Sequence, residues 1–301
     1  MNSKDYPLVT LAIPAFNHEK YVEQAILSLV NQSYKNTEII VIDDGSVDNT
    51  SLIVEKLSRK YNFTFIRQEN IGLPSTLNHI IRIANGEFIA FCASDDFFTL
   101  DKVETQVLFL QQNKNFAVCG GEAYTFIDGE KRIDLREDQV SSFTVLGFED
   151  VFLYDKSIPA GTAMIRKGVL EEIGCYSKEY PIDDKYIWLK ITYRGYKIAR
   201  INRVFQYYRI HNTNTSGNIE FMLANIKNCL DLYKAHNLYE VAVNNFHAQT
   251  FNKYIIISRM YSAIAFNKIN WRKINTFMIK ELVLGIFKVI KFKLLSLKFI
   301  F

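Results

Sequence analysis

Two adjacent carboxylates, Asp95 and Asp96, closely follow an apolar run in the sequence. Residues 88–93 (FIAFCA) are typical of a buried strand, and a single serine separates them from the acidic pair. Two like charges at a strand end repel each other, so one of the two pKa values rises unless a cation lies there. Carboxylate oxygens suit Mg²⁺ or Mn²⁺. The pair is therefore predicted to bind a metal ion or a ligand, the alternative being a loose cap for the next helix.

Polar groups also end the three strands predicted earlier in the chain. The first strand ends in PAFNHE, the second in Asp43, Asp44, Gly45 and Ser46, and the third in QENIG. Each segment alone could be an ordinary turn or a helix N-cap. In an open α/β sheet, however, ligands bind outside the carboxyl ends of the strands. The four segments together predict one ligand site at that edge of the sheet.

Two segments later in the chain could complete such a site. PIDDKYIWLKI places Asp183 and Asp184 at a predicted helix start, where the helix dipole favours carboxylates. A plain N-cap explains that pair equally well. YYRIHNTNTS places His211 in a polar loop after a strand of aromatic residues. A single histidine is more often structural, and it becomes a candidate ligand only if the sheet edge already holds a metal.

The elements that must position these groups alternate between strand and helix. Strands are predicted over 9–13, 38–44, 63–68 and 88–94, and helices near 51–60, 75–84 and 102–112, with helical spacing also after Tyr21. This alternation predicts an α/β fold with a mostly parallel central sheet flanked by helices. Helices on both faces explain why the strands are continuously apolar.

The pattern loosens between residues 116 and 209. Strands are predicted over AVCGGEAYTFI and KIARINRVFQYYRI, a hairpin turn at Asp128-Gly129, and short helices near 167–173 and 184–193. After Asn218 the chain is predicted to be helical to its end. We therefore expect a catalytic domain over residues 1–217 and a helical C-terminal region over 218–301.

Composition excludes several classes of protein. Of the 301 residues, 49% are apolar, which indicates a folded chain. The four cysteines lack CxxC pairs and are predicted to be reduced residues of a cytoplasmic protein. The start reads as a first strand, not as a signal peptide, and no uncharged stretch approaches the ~20 residues of a membrane-spanning helix.

Positive charge is concentrated at the end of the chain. Residues 271–301 contain seven Lys or Arg and one Glu, a local charge of +6, so the rest carries +4 − 6 = −2. A uniformly basic nucleic-acid-binding protein would not show this distribution. On a helical wheel Lys273, Lys280, Lys291 and Lys298 fall within ~20° of one another, with Lys288 nearby. The tail is predicted to lie on an anionic membrane, the alternative being packing on the catalytic domain.

These segments occur in the order and approximate spacing of one family. The chain resembles the inverting family 2 glycosyltransferases with the GT-A, or nucleotide-diphospho-sugar transferase, fold, and looks like the bacterial members that extend O-antigen or capsule repeat units. The resemblance covers roughly residues 7–217. It is carried by IPAFNHEKYVEQAILSLVNQSY, EIIVIDDGSVDNT, ENIGLPSTLN, GEFIAFCASDD, GTAMIRKGVLEEIGCYSKEY, DDKYIWLKI and YRIHNTNTS.

The resemblance assigns the donor side of the site. It implies nucleotide-sugar contacts by Pro14, Ala15, Phe16, Asn17, Asp43, Asp44, Asn70, Ser94, Asp95 and Asp96. Asp95 would bind Mn²⁺ or Mg²⁺ as the metal-binding aspartate of the family's DXD motif, and His211 would join it on the metal. UDP is the nucleotide that the resemblance favours, with dTDP and GDP possible.

The resemblance also assigns the acceptor side. Asp184 falls where the family keeps its catalytic base, and Asp183 takes the place of the glutamate that usually precedes it. Gly161, Thr162 and Trp188 would lie at the acceptor. A polyprenyl-diphosphate-linked saccharide is the implied acceptor, with the enzyme peripheral on the inner face of the cell membrane. The implied reaction is a single inverting displacement.

Two positions depart from the family pattern. Ala93 replaces the first aspartate of the DXD motif, and Leu77 replaces an arginine that usually lies near the phosphates. They motivate an alternative, a nucleotide-sugar-binding protein that has lost catalysis. A phospho-acceptor signalling domain, suggested by VIDDGS, ranks far behind because it leaves residues 120–217 without a role.

Overall fold

The computed structural model describes residues 6–127, 142–181, 183–212, 214–255 and 259–297. Its strands are β1 Val9–Ala15, β2 Thr37–Asp44, β3 Thr64–Gln68, β4 Phe88–Phe91, β5 Phe97–Phe98, β6 Phe116–Ile127, β7 Phe143–Leu146, β8 Met164–Arg166 and β9 Lys197–Ile210. Its helices are α1 Val22–Val30, α2 Thr50–Tyr61, α3 Leu73–Ile83, α4 Lys102–Gln112, α5 Phe148–Tyr154, α6 Lys167–Glu172, α7 Asp183–Tyr193, α8 Ile219–Asp231, α9 Tyr239–Tyr254, α10 Arg259–Asn267 and α11 Thr276–Leu297.

The strands form one sheet in the order β3-β2-β1-β4-β8-β6-β9-β5, with β7 paired to β9. The β1–β2, β2–β3, β1–β4 and β6–β9 pairs are parallel, and the pairs that involve β5, β7 or β8 are antiparallel. The first four predicted strands are confirmed as β1 to β4. The last of them ends at Phe91 and not at residue 94, because the chain turns there into the loop that carries the acidic pair. The predicted hairpin at Asp128-Gly129 lies outside the described residues.

The largest core cluster joins the central strands to the helices that cover them. Leu11, Ile13 and Phe88 of the sheet pack in one cluster with Ile26 of α1 and Val107 of α4, and each is at most 1% exposed. Burying a side chain of this size stabilises the fold by roughly 1.5–3 kcal/mol. This cluster anchors the strands, and their carboxyl ends are thereby held in fixed positions relative to one another.

A lysine side chain lies inside this part of the fold. Lys102, the first residue of α4, is fully buried. Its ammonium group donates hydrogen bonds to Gln106 Oε1 (2.7 Å) and to the carbonyl oxygen of Ala163 (3.2 Å), and it lies over the Phe98 ring. Burial lowers the pKa of Lys102 to about 7. This burial could not be predicted from the sequence, because lysine is rarely found inside a core.

The chain divides into two compact units. Unit 1 contains residues 1–148 and 157–225, and unit 2 contains residues 149–156 and 226–301. The second unit therefore includes a short segment that the sequence analysis assigned to the catalytic domain. Side chains of α9 hold this segment, because Asn245 donates to the carbonyl oxygen of Leu153 (3.0 Å) and Gln249 to that of Tyr154 (2.8 Å).

Unit 2 has its own small core, built between α9, α10 and α11. It consists of Ala248, Phe251, Ala265, Ile269, Met278 and Leu282. Within the described parts of the chain, no helix combines the length and hydropathy needed to cross a membrane. All four cysteines are free; Cys175 is half-buried and the other three are buried.

The prediction that Lys273 belongs to the basic face of the tail helix is wrong. Helix α11 begins at Thr276, so Lys273 lies before it, in a single turn of 3₁₀ helix, where it pairs with Glu240. Lys288 donates to the carbonyl oxygen of Asn252 (3.2 Å). Lys298 and the side chain of Lys291 lie outside the described residues. A helical wheel drawn from Lys273 assumes one continuous helix, but the helix begins only at Thr276.

Candidate active site

Strand register brings the predicted polar segments together. Ala15 at the end of β1 pairs with Asp43 of β2, and Asp43 pairs with Arg67 of β3. On the other side of β1, Ala12 pairs with Phe91, the last residue of β4. The loops that follow β1, β2 and β4 therefore leave the sheet side by side. This edge, the carboxyl edge of the parallel strands, is where the sequence analysis expected a ligand site.

The loops after β1 and β2 are joined by reciprocal hydrogen bonds. Asn17 accepts from the backbone N–H of Val47 (2.9 Å), and its own backbone N–H donates to Ser46 Oγ (2.9 Å). The backbone N–H of His18 donates to Thr50 Oγ1 (2.8 Å). Asn17 has a positive φ of 53°, which asparagine tolerates better than most residues. The two loops thus form one braced surface.

The two aspartates at the end of β2 have different hydrogen-bond partners. Asp44 accepts from Gln68 Nε2 (2.8 Å) and from the backbone N–H groups of Ile71 (3.0 Å) and Gly72 (3.0 Å). It therefore holds the loop that enters α3. Asp43 Oδ1 accepts from the backbone N–H of Ser46 (3.2 Å) and from its hydroxyl.

The second oxygen of Asp43 is a buried acceptor without a hydrogen bond. Asp43 Oδ2 has no hydrogen-bond partner within the described part of the chain, and Arg67 Nε is 3.7 Å away. A buried carboxylate oxygen left unpaired is costly, which points to a missing donor. The close approach of the neighbouring loop shapes this position, since a Cβ on Gly45 (φ +79°) would lie 2.7 Å from Asn70 N.

The two aspartates after β4 also contact different groups. Asp96 is 2% exposed; its Oδ1 accepts from the backbone N–H of Arg209 (2.8 Å) and its Oδ2 from Gln206 Nε2. Burial, and secondarily the neighbouring Asp95, raise the pKa of Asp96 to about 7. Both oxygens are engaged inside the protein. The predicted contact of Asp96 with a nucleotide stays a prediction, while its structural role is clear.

Asp95 instead faces two imidazoles. His211 Nε2 lies 2.9 Å from Asp95 Oδ2, and His18 Nε2 lies 3.9 Å from the same oxygen. The three residues each offer a ligand atom, and these atoms all lie within 4.8 Å of one another. We call His18, Asp95 and His211 the triad. The predicted pair Asp95–His211 is brought together; His18 was not predicted.

Neighbouring side chains fix the orientation of the triad. His18 Nδ1 hydrogen-bonds the buried Ser94 hydroxyl (2.7 Å), and the His211 ring stacks on Tyr21 at a centroid distance of 5.0 Å. Burial lowers the pKa of His18, and the nearby Asp95 carboxylate only partly opposes this. A neutral imidazole with one nitrogen hydrogen-bonded is the form in which histidine binds a metal.

The two histidines of the triad line an open cleft with a volume of about 540 Å³. Its lining includes Asn17, Tyr21 and Asp48 besides the two histidines. Among the other predicted donor-side residues, Phe16 is 44% exposed, Asn70 is exposed, Pro14 is half-buried and Ala15 is buried. The cleft therefore joins the triad to the loop after β1, while Ser94 supports it from beneath.

A family model decides the relationship. The model for glycosyl transferase family 2 matches residues 10–174, more than half of the chain. The chain belongs to glycosyl transferase family 2. The match includes both acidic pairs and His18, and it ends before Asp184 and His211.

Curated glycosyltransferases are similar to this chain over 62–70% of its length. An uncharacterized glycosyltransferase of Rickettsia prowazekii is 32% identical over 216 residues, covering 70% of this chain and 66% of that protein. The UDP-Glc:alpha-D-GlcNAc-diphosphoundecaprenol beta-1,3-glucosyltransferase WfaP of Escherichia coli is 29% identical, covering 70% of this chain and 80% of that protein. The chain spans only 27% of the uncharacterized glycosyltransferase of Rickettsia bellii, with which it is 31% identical.

Solved structures of GT-A glycosyltransferases confirm the fold. S. aureus TarS 1–349 in complex with UDP-GlcNAc superposes with a TM-score of 0.63 at 17% identity, covering 92% of this chain and 79% of that one. The mannosyltransferase PcManGT of Pyrobaculum calidifontis, in complex with GDP-Man and Mn²⁺, gives 0.59 at 15% identity, covering 94% and 86%. At these identities the likeness concerns the fold alone.

The predicted acceptor-side residues of this family 2 chain take different positions. Thr162 is fully buried and Trp188 is 1% exposed. Thr162 Oγ1 donates to the carbonyl oxygen of Pro159 (2.7 Å), and Trp188 Nε1 to that of Ile158 (3.1 Å). Both side chains are buried and hydrogen-bonded to the backbone before the loop, and their predicted contact with an acceptor stays a prediction. Gly161 is half-buried in the same loop.

The predicted catalytic pair begins α7. Asp184 is half-buried, and its Oδ1 accepts from the backbone N–H of Lys185 (2.6 Å). Asp183 is the first residue of the helix, and its side chain lies outside the described residues. The helix start is as predicted, and the catalytic role of the pair stays a prediction.

Two residues of the site were missed from the sequence. Arg209 donates its Nε to the carbonyl oxygen of Asp95 (2.9 Å) and its backbone N–H to Asp96, so it clamps the acidic loop. His18 stands in the segment PAFNHE, which the sequence analysis placed at the site. The available signal was that a histidine follows a parallel strand at the edge that also carries Asp95.

The triad fits a divalent cation. One carboxylate oxygen and two imidazole nitrogens converge from three different loops, which is a donor set for a first-row transition metal ion. Hydrogen bonds already hold His18 and the backbone of Asp95 in place. Asp95, His211 and His18 are therefore the residues that could hold such an ion.

Proposed function

We propose that the chain is a metal-dependent inverting glycosyltransferase that moves a sugar from a nucleotide-diphospho-sugar to a hydroxyl of a lipid-linked glycan. The observation that carries this proposal is the triad at the carboxyl edge of the sheet, together with the buried Asp43 Oδ2, which has no hydrogen bond within the described part of the chain. A cation site and a buried acceptor that lacks a hydrogen bond, both at the carboxyl edge of the sheet, suit a ligand that has both a diphosphate and a hydrogen-bonding base.

The names of the relatives support particular substrates. TarS was solved with UDP and with UDP-GlcNAc, and WfaP is named for transfer from UDP-Glc to a GlcNAc-diphosphoundecaprenol acceptor. We propose a UDP-sugar donor and a polyprenyl-diphosphate-linked saccharide acceptor for this chain. The product would be a unit of a bacterial surface polysaccharide, such as an O-antigen.

Donor binding is assigned to the loops after β1, β2 and β4. Asp95 and His211 would hold Mn²⁺ or Mg²⁺, and Asp43 would accept a hydrogen bond from the nucleotide. A bound divalent cation would neutralise the diphosphate and stabilise it as the leaving group. The braced loops keep these groups in place before the donor arrives, so little ordering remains to be done on binding.

Acceptor activation is assigned to Asp184. Its carboxylate takes the proton of the acceptor hydroxyl while that oxygen forms a bond to the anomeric carbon. The bond from that carbon to the diphosphate oxygen breaks, and the nucleoside diphosphate leaves with the electron pair. Attack from the face opposite the leaving group inverts the anomeric centre, and no covalent intermediate on the protein is required.

Incubation with UDP-glucose or UDP-GlcNAc and a synthetic GlcNAc-diphospho-lipid tests the activity. We expect a product larger by one sugar in mass spectrometry and of inverted anomeric configuration by NMR. Asp184→Asn should lower turnover by at least ~10²-fold while donor affinity stays within about twofold. Asp150→Asn, at a residue of unit 2, is the matched control and should leave turnover unchanged.

The alternative is a nucleotide-sugar-binding protein without catalysis. Leu77 is 2% exposed, so the position where the family has an arginine supplies only apolar packing here. Ala93 likewise brings no carboxylate. A protein that binds a UDP-sugar but shows no turnover with any acceptor, in the wild type as in Asp184→Asn, would favour this alternative over the enzyme.

We further propose that unit 2 binds an anionic membrane through α11, as a protein peripheral on the inner face of the cell membrane. One side of this helix packs in the core of unit 2 through Met278 and Leu282. The other side is exposed and apolar, with Lys280 among the apolar residues. Those apolar residues are Ile279, Val283, Leu284, Ile286 and Phe287, which are between 42% and 63% exposed.

Vesicle sedimentation tests the membrane proposal. The protein should pellet with vesicles that contain phosphatidylglycerol, and less with phosphatidylcholine alone, because Lys280 favours anionic headgroups. Phe287→Glu should release most of it, whereas Leu232→Glu, at an exposed leucine outside α11, should not. Equal binding by both variants would count against α11 as the contact surface.

A further inference from the structure

We propose that His18 is a third protein ligand of the divalent cation and that it makes the site prefer Mn²⁺ to Mg²⁺. This inference rests on the proposed function and deepens it, because it concerns the same cleft. It assigns a residue that neither the sequence analysis nor the relationship to family 2 singled out.

The spacing of the three side chains carries the first part of the inference. Ligand atoms ~2.1 Å from one ion lie roughly 3–4 Å apart. His18 Nε2 is 3.9 Å from Asp95 Oδ2, and His211 Nε2 is 2.9 Å from it. The two rings lie edge to face with centroids 5.7 Å apart. All three donors can therefore reach one ion with small side-chain movements.

The surroundings of His18 carry the second part. Its Nδ1 is engaged by the hydroxyl of Ser94, which is 3% exposed, so Nε2 is the nitrogen directed at Asp95. The backbone N–H of His18 donates to Thr50 Oγ1, and its carbonyl oxygen accepts from the N–H groups of Tyr21 and Val22. A histidine oriented through its second nitrogen is the usual arrangement at metal sites. A histidine that only lined the cleft would not need such support.

The donor set carries the preference for one metal. Mg²⁺ favours oxygen ligands and keeps much of its water, whereas imidazole suits transition metal ions. One carboxylate and two imidazoles therefore favour Mn²⁺ over Mg²⁺. With His18 removed, one oxygen and one nitrogen from the protein remain, and this advantage decreases.

Electron paramagnetic resonance of Mn²⁺ tests the inference directly on the full-length protein. Pulsed spectra of the wild type with Mn²⁺ alone should show couplings to two imidazole nitrogens, and those of His18→Gln to one. Titration should show Mn²⁺ affinity lowered by at least ~10-fold in His18→Gln, with Mg²⁺ affinity, measured by competition, changed less than about threefold. His236→Gln, at a histidine of unit 2, is the matched control and should leave both affinities unchanged.

Three outcomes would overturn the inference. They are a single nitrogen coupling in the wild type, unchanged Mn²⁺ affinity in His18→Gln, and an equal loss of Mn²⁺ and Mg²⁺ affinity. The wild-type spectrum decides even if the variant folds poorly, and His18→Asn provides a second substitution. Melting shifts with UDP keep the two proposals apart. A shift with UDP and Mn²⁺ but one nitrogen coupling rejects only the role of His18, whereas no UDP shift with any metal rejects the proposed function.

Discussion

The Asp-Asp pair that ends β2 and the Asp-Asp pair that follows β4 have the same sequence, and in both the two aspartates take different roles. In each pair the second aspartate is engaged by the protein, Asp44 by the loop before α3 and Asp96 by β9. In each pair one oxygen of the first aspartate is the candidate ligand atom. Asp43 Oδ2 lacks a hydrogen bond in the described part of the chain, and Asp95 Oδ2 faces two histidines.

The difference between the pairs lies in what surrounds the first aspartate. Asp43 is fully buried and lies next to backbone and hydroxyl donors, which suits recognition of a base or a ribose. The side chain of Asp95 is 12% exposed and lies among imidazoles, which suits a cation. The comparison teaches that, in an acidic pair at a strand end, one aspartate can be available to a ligand while the other holds the neighbouring backbone through hydrogen bonds.

The largest effect is expected from removing the cation ligand. Asp95→Asn should lower Mn²⁺ affinity by at least ~100-fold, since the only carboxylate of the triad loses its charge. The melting temperature of the metal-free protein should change by less than about 2 °C, because this substitution removes no brace. Calorimetric titration with Mn²⁺ and a melting curve measure both; a large loss of stability would erase the distinction between Asp95 and Asp96.

Substitution of Asp96, the second aspartate of this pair, should instead lower the stability of the fold. Asp96→Ala leaves Gln206 Nε2 and the backbone N–H of Arg209 without their acceptor, and each buried unpaired donor costs ~1–3 kcal/mol. We expect the free energy of unfolding to fall by about 2–4 kcal/mol in urea denaturation. Asp96→Asn keeps the shape and one of the two acceptor oxygens, and should cost less than Asp96→Ala. Equal losses in the two variants would contradict the role of the hydrogen bonds.

At the end of β2, Asp43 should likewise affect ligand binding and Asp44 the stability of the fold, with smaller effects than at Asp95 and Asp96. Asp43→Asn should weaken UDP binding by about tenfold, because a charged acceptor contributes ~1.5–3 kcal/mol, and change stability little. Asp44→Ala should destabilise by about 1–3 kcal/mol by releasing the loop at Ile71 and Gly72. Calorimetric titration with UDP and urea unfolding on both variants measure these effects. Weaker UDP binding in Asp44→Ala together with lower stability in Asp43→Asn would contradict the roles assigned to the two aspartates.

The last prediction concerns Lys102, the buried lysine that begins α4. Its pKa is about 7 in the folded protein and near 10.4 when unfolded, so between these values the unfolded state binds more protons. Stability should therefore rise with pH from about 7 to 9 by up to ~1.4 kcal/mol per pH unit. Lys102→Met should lack this part of the slope in urea unfolding at several pH values. Parallel slopes in the two proteins would mean that Lys102 keeps its proton.

The sequence predicted the parts of the fold and site that local patterns encode. Alternating apolar segments located β1 to β4, and the family-like segments brought Asp95 and His211 into one site. His18 was missed because a lone histidine in a loop has no periodicity to mark it, and the residues that its ring nitrogens face, Ser94 and Asp95, are 76 and 77 residues away. Asp96 was treated as a second ligand because no local pattern distinguishes a brace from a ligand.

Other features depended on tertiary packing. Trp188 and Thr162 were assigned to the acceptor from their position in motifs, and only the packed structure shows that both are buried. Lys102 was taken as an ordinary helix start, since its burial depends on Ala163, 61 residues further along the chain. Lys273 was placed on the tail helix because a wheel cannot detect the break before Thr276.

Thermal melting with nucleotides tests the central claim most directly, which is that the triad and Asp43 form a metal-dependent nucleotide site. Wild type and Asp95→Ala would be melted with UDP, dTDP and GDP, each with and without Mn²⁺. A ligand at a hundredfold its dissociation constant stabilises by ~2.7 kcal/mol, a shift of roughly 5 °C for a chain of this size. The account predicts this shift for UDP with Mn²⁺ in the wild type and its loss in Asp95→Ala. No shift with any nucleotide, or an equal shift in the variant, would contradict it.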